Sequence, residues 1–177
     1  AGSGTTAIDG GIVFGPDGSV RGNISNNTIT NFPSAEGIAV LGGSGNTGNN
    51  TSSTLGANGT PVNITNNTIA GQATATQHLG SNAIRASMNS QVGVMNVNIN
   101  CNGRTTGGCT ATGPITNIQG QGISVFAGGT ITGTTTITNN PIIANHHHLA
   151  RLDVPHILRL NQVQRTSLRR QDKGLIR

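Results

Sequence analysis

The sequence is poor in the residue types that most often carry binding and chemistry. It has no Trp, no Tyr, three Phe and two Cys, and only 8% of its 177 residues are charged. Without aromatic side chains in number it lacks the stacking platforms on which single-stranded nucleic acids bind, so nucleic acid is not the favoured partner. No apolar run is long enough to span a membrane, and no apolar signal segment is present. Because the chain opens in Gly/Ser/Thr-rich sequence without Met, we expect it to be a fragment of a longer protein or a processed form.

Charge is not only scarce but unevenly placed. Residues 1–145 contain three basic and three acidic side chains, whereas residues 146–177 contain seven basic and two acidic ones. The whole net charge of +5 therefore belongs to the end of the chain, and it says nothing about the partners of the rest. Hydrophobic residues make up 33% of the sequence, which is little for a rounded core. A disordered Gly/Ser/Thr/Asn linker is one alternative, but linkers do not space their apolar residues regularly.

What the sequence does contain is a repeated unit. Residues 23–29 read Asn-Ile-Ser-Asn-Asn-Thr-Ile, and residues 63–69 read Asn-Ile-Thr-Asn-Asn-Thr-Ile. Residues 136–142, Thr-Ile-Thr-Asn-Asn-Pro-Ile, are a diverged copy. The alternating Ile predicts half-buried strands, and the Asn pair predicts a tight corner because Asn tolerates left-handed backbone angles. The predicted corner residues are Asn26, Asn27, Asn66, Asn67, Asn139 and Asn140.

A second signature, of the form Gly-Ile-x-Val, recurs ahead of each unit. Its copies start at Gly11, Gly37, Ala83 (in Asn-Ala-Ile-Arg) and Gly122, which are 26, 46 and 39 residues apart. Periods of this size are typical of solenoids, and the unequal lengths arise in the loops while the strands keep their size. The longest predicted insertions are residues 42–61 and 102–113.

Three short strands per turn with an Asn corner resemble the right-handed parallel β-helix of the pectin-lyase-like superfamily, over about residues 8–143. The resemblance implies an all-β fold, a right-handed single-stranded parallel β-helix (solenoid) of about four coils. Stacked Ile and Val would form aliphatic ladders inside, and stacked Asn would form a hydrogen-bonded amide ladder. The fold says little about activity, since it carries lyases, hydrolases, adhesins and phage tail proteins.

The two cysteines bracket one of the insertions. Cys101 stands where the first corner Asn is expected, and Cys109 follows in a polar loop. A disulfide between them fits the short spacing and would imply an oxidising compartment; two free thiols are the alternative. Two Cys without a His or Asp cluster make a poor metal site.

Candidate catalytic groups are few. Glycoside hydrolysis needs two placed carboxylates, and polysaccharide lyases of this superfamily bind Ca²⁺ through clustered carboxylates. Asp17 belongs to a turn, and Asp9 and Glu36, each just before a Gly-Ile strand, form the one candidate acid pair, although like charges one coil apart repel. His78 is a lone loop histidine. We therefore predict no catalytic, cofactor-binding or metal-binding residues and a protein that is not an enzyme.

The repeat character ends after Asn145, so we predict a β-helix domain over residues 1–145 and a basic tail over residues 146–177. The tail begins with His146, His147 and His148 and contains Pro155, which interrupts any long helix. It is interpreted as a short capping helix, a disordered basic segment for nucleic acid or acidic surfaces, or sequence foreign to the repeat.

These observations lead to a functional hypothesis. We expect a non-enzymatic structural or adhesive segment of a secreted or cell-surface β-helix protein, similar to bacterial adhesin or autotransporter passengers. Its partner would be a host-surface glycan or protein. The alternative is a truncated or degenerate polysaccharide lyase or glycoside hydrolase.

Overall fold

The computed structural model describes residues 10–15, 18–32, 36–43, 52–72, 82–143 and 151–153. These residues form fifteen β-strands and no helix. Every strand pairing between them is parallel, and the chain winds through three sheets in turn, so the predicted parallel β-helix is confirmed. Among the described residues there is consequently no helix of the length and apolarity that crossing a membrane requires.

Each turn of the chain contributes one rung to each sheet. The first coil consists of β1 (Gly10–Phe14), β2 (Ser19–Val20), β3 (Gly22–Ser25) and β4 (Thr28–Phe32). The second consists of β5 (Glu36–Gly42), β6 (Ser52–Leu55), β7 (Val62–Thr65) and β8 (Thr68–Gly71). The third consists of β9 (Asn82–Met95), β10 (Val97–Asn100) and β11 (Ile115–Thr116). The fourth consists of β12 (Ile123–Thr132), β13 (Thr135–Thr138) and β14 (Ile142–Ile143), and β15 (Arg151–Asp153) follows it.

The sheets collect equivalent strands. Sheet 1 has the order β1-β5-β9-β12-β15; β6 also pairs with the second half of β9, and β2 pairs with β6. Sheet 2 has the order β3-β7-β10-β13, and sheet 3 has the order β4-β8-β11-β14. In sheet 1 the register aligns Ile12 with Ile38, Ile38 with Ile84, and Ile84 with Ile123. These are the spacings of 26, 46 and 39 residues that the Gly-Ile-x-Val copies predict.

The core is a set of aliphatic ladders running along the coil axis. Ile24, Ile64, Ile99 and Ile137 stack in sheet 2. Ile64 and Ile99 in the middle coils are fully buried, whereas Ile24 and Ile137 in the outer coils are only partly buried. Burying such a side chain stabilises the fold by about 1.5–3 kcal/mol, and here each coil obtains that burial from its neighbours.

Two parts of sheet 1 differ from the sequence prediction. The stretch 42–61 is predicted as one long loop, but it contains β6, which pairs in register with the second half of β9. The Ser-Ser-Thr-Leu of β6 has Ser53 and Leu55 buried. Only two buried positions alternate with exposed or half-buried ones in β6, which is too short a pattern to predict a strand in a Gly/Ser/Thr-rich stretch. The strand that pairs with β6 lies about 40 residues later in the sequence.

The described part of the predicted tail is limited to Arg151–Asp153. These residues form β15, which pairs parallel with Ser124–Phe126 of β12 and so adds a fifth rung to sheet 1. His146, His147, His148 and the chain after residue 153 lie outside the described residues, and the domain boundary near residue 145 stays a prediction.

Candidate functional site

The corner between sheets 2 and 3 contains a continuous ladder of four asparagines. The Nδ2 of Asn27 donates to the Oδ1 of Asn67 at 2.9 Å, Asn67 donates in the same way to Asn102 at 2.8 Å, and Asn102 to Asn140 at 3.0 Å. The Oδ1 atoms of Asn67, Asn102 and Asn140 each also accept the backbone N–H of the asparagine one coil earlier, at 2.9–3.1 Å. The ladder thus satisfies buried polar groups that the sharp corner would otherwise leave unpaired.

The residue before each rung has a left-handed backbone. Asn26, Asn66, Cys101 and Asn139 have φ values of 57°, 58°, 61° and 54°. Asn adopts this conformation more readily than other residues with a side chain, because its short amide hydrogen-bonds locally. The outer corner position is therefore Asn in three coils, and the exception is the cysteine of the third coil.

Cys101 is bonded to Cys109, eight residues later, with 5.2 Å between their Cα atoms. The bond closes the loop that leaves the corner of the third coil. Both cysteines are buried, although residues 105–108 between them are exposed. We call residues 103–113 the corner strap, because they lie over the outer corner positions of the other coils.

The strap reaches the first and second coils through threonines. The backbone N–H of Thr110 donates to the Oδ1 of Asn66 at 3.1 Å, and the hydroxyl of Thr110 donates to the Oδ1 of Asn26 at 3.1 Å. Two residues later the backbone N–H of Thr112 donates to the Oγ1 of Thr68 at 2.8 Å. These contacts join segments that are 44 to 84 residues apart in sequence.

Arg104 extends the strap in the opposite direction, to the fourth coil. Its Nη1 donates to the Oδ1 of Asn139 at 2.7 Å, and its Nε donates to the carbonyl oxygen of Thr106 at 3.0 Å. All four outer corner residues are consequently engaged by one loop, three by hydrogen bonds and one by the disulfide. The strap is therefore an axial tie, by which we mean a single loop that contacts all four coils along the axis of the β-helix.

A groove opens beside Arg104, between the strap and the corner of the fourth coil. Its volume is about 340 Å³. The lining residues are Gly103, Arg104, Thr105, Thr106, Pro114, Asn139 and Pro141. We call it the Arg104 groove. It combines one cationic group with prolines and threonines, which suits a small ligand that carries a single anionic group.

The candidate acid pair of the sequence is only half described. Glu36 forms an ion pair with Arg85 at 3.3 Å and also accepts a hydrogen bond from Asn82 at 3.3 Å. Asp9, the other member, and Asp17 and His78 all lie outside the described residues. Within the described ranges no three His, Cys, Asp or Glu side chains cluster closely enough to hold a metal ion.

Sequence reasoning missed Asn102 as a rung of the ladder. Asn102 follows Cys101 in the position of the second corner Asn, and Val97 aligns with Val62 at the same offset of 35 residues that relates Asn102 to Asn67. Aligning the third coil by its valine and isoleucine rather than by the complete Asn pair would have found it. No sequence signal points to the contacts of Thr110 with the corners.

Comparison of the chain with protein-family models, with curated proteins and with solved structures gives no significant match in any of the three.

Proposed function

We propose that this chain is a non-catalytic structural segment of a secreted or cell-surface β-helix protein, of the pectin-lyase-like type found in adhesin and autotransporter passengers. Its role is to hold a rigid rod and to display loops on it. The observation that carries this proposal is the corner strap, in which a disulfide and Asn or Thr hydrogen bonds tie four coils together along their axis.

The strap supports the extracellular part of the proposal because disulfides persist in oxidising compartments. It supports the structural part because a solenoid has contacts only between neighbouring coils, so its ends open most easily. A loop that crosses several coils opposes that local opening. Residues 105–108 of the strap are exposed to solvent. They are therefore accessible to a partner such as a host-surface glycan or protein.

Proteolysis of the full chain tests the structural role. We expect the corner strap and the strands it contacts to resist a broad-specificity protease under oxidising conditions and to be cut faster, beginning at the strap, after reduction. Equal rates of cutting in both conditions would contradict an axial tie. A binding screen on immobilised glycans and host cells tests the adhesive role, and turnover of any polysaccharide would overturn the non-catalytic assignment.

The alternative, a degenerate polysaccharide lyase or hydrolase, makes a different prediction. It requires Glu36 as an acid or base, whereas the carboxylate of Glu36 lies in an ion pair with Arg85. Under this alternative Glu36→Ala and Asp9→Ala would abolish a measurable activity on polysaccharide. Under our proposal there is no such activity for these substitutions to remove.

A further inference from the structure

The guanidinium of Arg104 contacts both the strap and the corner of the fourth coil. Two of its nitrogens donate hydrogen bonds, to Thr106 and Asn139. A Cβ added to Gly107 would lie 3.2 Å from Nη2 and 3.7 Å from Cζ, so the guanidinium lies against the backbone of Gly107. These contacts orient the guanidinium beside the groove, and a side chain that is already oriented loses less entropy when it binds.

The charge of Arg104 is not compensated by an acidic side chain within the described part of the chain. The ion pair found there joins Arg85 to Glu36, and none of the described carboxylates lies within 4.0 Å of Arg104. Its Nη2 has no hydrogen-bond partner among the described residues, and Nη1 uses one of its two N–H groups on Asn139. An oriented guanidinium with free donors is suited to bind an oxyanion.

The groove beside these donors is open to solvent and has a volume of about 340 Å³. Pro114 and Pro141 provide apolar wall, and Thr105 and Thr106 each bring a hydroxyl that can donate. The guanidinium and two neighbouring hydroxyls together provide at least three hydrogen-bond donors. A planar carboxylate has only two oxygens to accept them, whereas a sulfate or phosphate group has more.

We propose that the Arg104 groove binds a tetrahedral oxyanion, the sulfate or phosphate ester group of a small ligand such as a modified sugar. Guanidinium Nη groups contact two of its oxygens, and the threonine hydroxyls contact a third. The prolines contact the uncharged body of the ligand. This inference deepens the adhesive part of the proposed function and rests on it, because it names the chemical group that the displayed strap recognises.

The test is an NMR titration of the oxidised full-length chain with sodium sulfate, sodium phosphate and sodium acetate at constant ionic strength. We expect saturable shifts of the Arg104 Nε–H and of the Thr105 and Thr106 amides with sulfate or phosphate. Acetate should bind at least about tenfold more weakly. The stronger of the two tetrahedral anions identifies the source as a sulfate or a phosphate ester.

Variants separate specific recognition from general attraction to a cation. Arg104→Gln should remove the saturable shifts, and Arg104→Lys, which keeps the charge but not the planar fork, should weaken binding several-fold. Arg85→Gln is the matched control and should leave binding unchanged. Unchanged amide spectra away from the strap establish that each variant is folded. Asn139→Gly is a second variant expected to weaken binding, because it keeps the left-handed corner but removes the side-chain amide that contacts Arg104.

Three results would overturn the site: no saturable shift with either tetrahedral anion, equal shifts in Arg104→Gln, or binding of acetate that is as tight as that of sulfate and phosphate. A negative titration of a chain that still shows reduction-dependent protease resistance removes the site and leaves the structural role. Loss of that resistance difference removes the structural role whatever the titration gives.

Discussion

The side-chain amide of Asn67 donates to the Oδ1 of Asn102 at 2.8 Å, and both residues are fully buried. The same Oδ1 accepts the backbone N–H of Asn67, and the amide of Asn102 donates in turn to Asn140 and to the carbonyl oxygen of Ile64. Asn102 therefore connects the second, third and fourth coils through one side chain.

Asn102→Ala should lower the free energy of unfolding by about 2–4 kcal/mol, because it leaves buried donors of Asn67 without an acceptor. Chemical denaturation measures the change. The control is Asn63→Ala, which breaks the outer asparagine ladder to Asn23 and Asn98, where solvent can replace the lost partners. The control should cost less than about 1 kcal/mol. Equal losses in the two variants would contradict a special role for the buried ladder.

Replacing both cysteines by serine should lower the free energy of unfolding by about 2–3 kcal/mol, the effect expected for closing a loop of this length. Cys101→Asn combined with Cys109→Ser should lose about 1 kcal/mol less, since Asn suits the left-handed backbone at residue 101. Denaturation with and without a reductant is the measurement. Reductant should destabilise the unmodified chain and leave both double variants unchanged; a wild-type chain indifferent to reductant would refute the prediction.

Thr135→Val should stabilise the protein by about 1 kcal/mol or more. The Oγ1 of Thr135 is buried without a hydrogen-bond partner among the described residues, and burying an unpaired hydroxyl is unfavourable. The residue stacked on it in the preceding coil is Val97, so a valine at position 135 would match its neighbour. Thermal unfolding should show a higher Tm for this variant, whereas Thr136→Val, on the solvent side, should change Tm little. A lower Tm for Thr135→Val would mean that the hydroxyl is satisfied.

Gly37→Ala should destabilise the protein by about 1–3 kcal/mol through overpacking. The added Cβ would lie 2.8 Å from the carbonyl oxygen of Ala83 and 2.8 Å from the Cγ2 of Ile69. Gly113→Ala is the matched control, because no atom lies within 4 Å of its added Cβ, and it should be neutral or slightly stabilising. Chemical denaturation measures both variants. If their denaturation midpoints were the same, the prediction would be wrong, because the coils would have moved apart to accept the methyl group.

Local pattern was sufficient to predict the fold class and much of the register. Ile38 and Ile84 occupy the same position in the Gly-Ile-x-Val signature and in its Asn-Ala-Ile-Arg copy, and the register pairs them. Shifting a strand by one residue would move its apolar side chains to the other face, so the signature fixes the phase of stacking. The third coil was harder, because the cysteine and the following insertion interrupt its unit, and Asn102 was not recognised as a rung.

The sequence by itself determined the short strands, their corners and the spacing at which coils stack, because each depends on a backbone preference or on an alternation that neighbouring residues display. Only the tertiary structure decided the path of the strap and the surroundings of Arg104. Thr110 meets Asn26 across 84 residues, and Arg104 meets Asn139 across 35. Such polar contacts follow no period, so they exist only once the coils have stacked and brought distant corners to one surface.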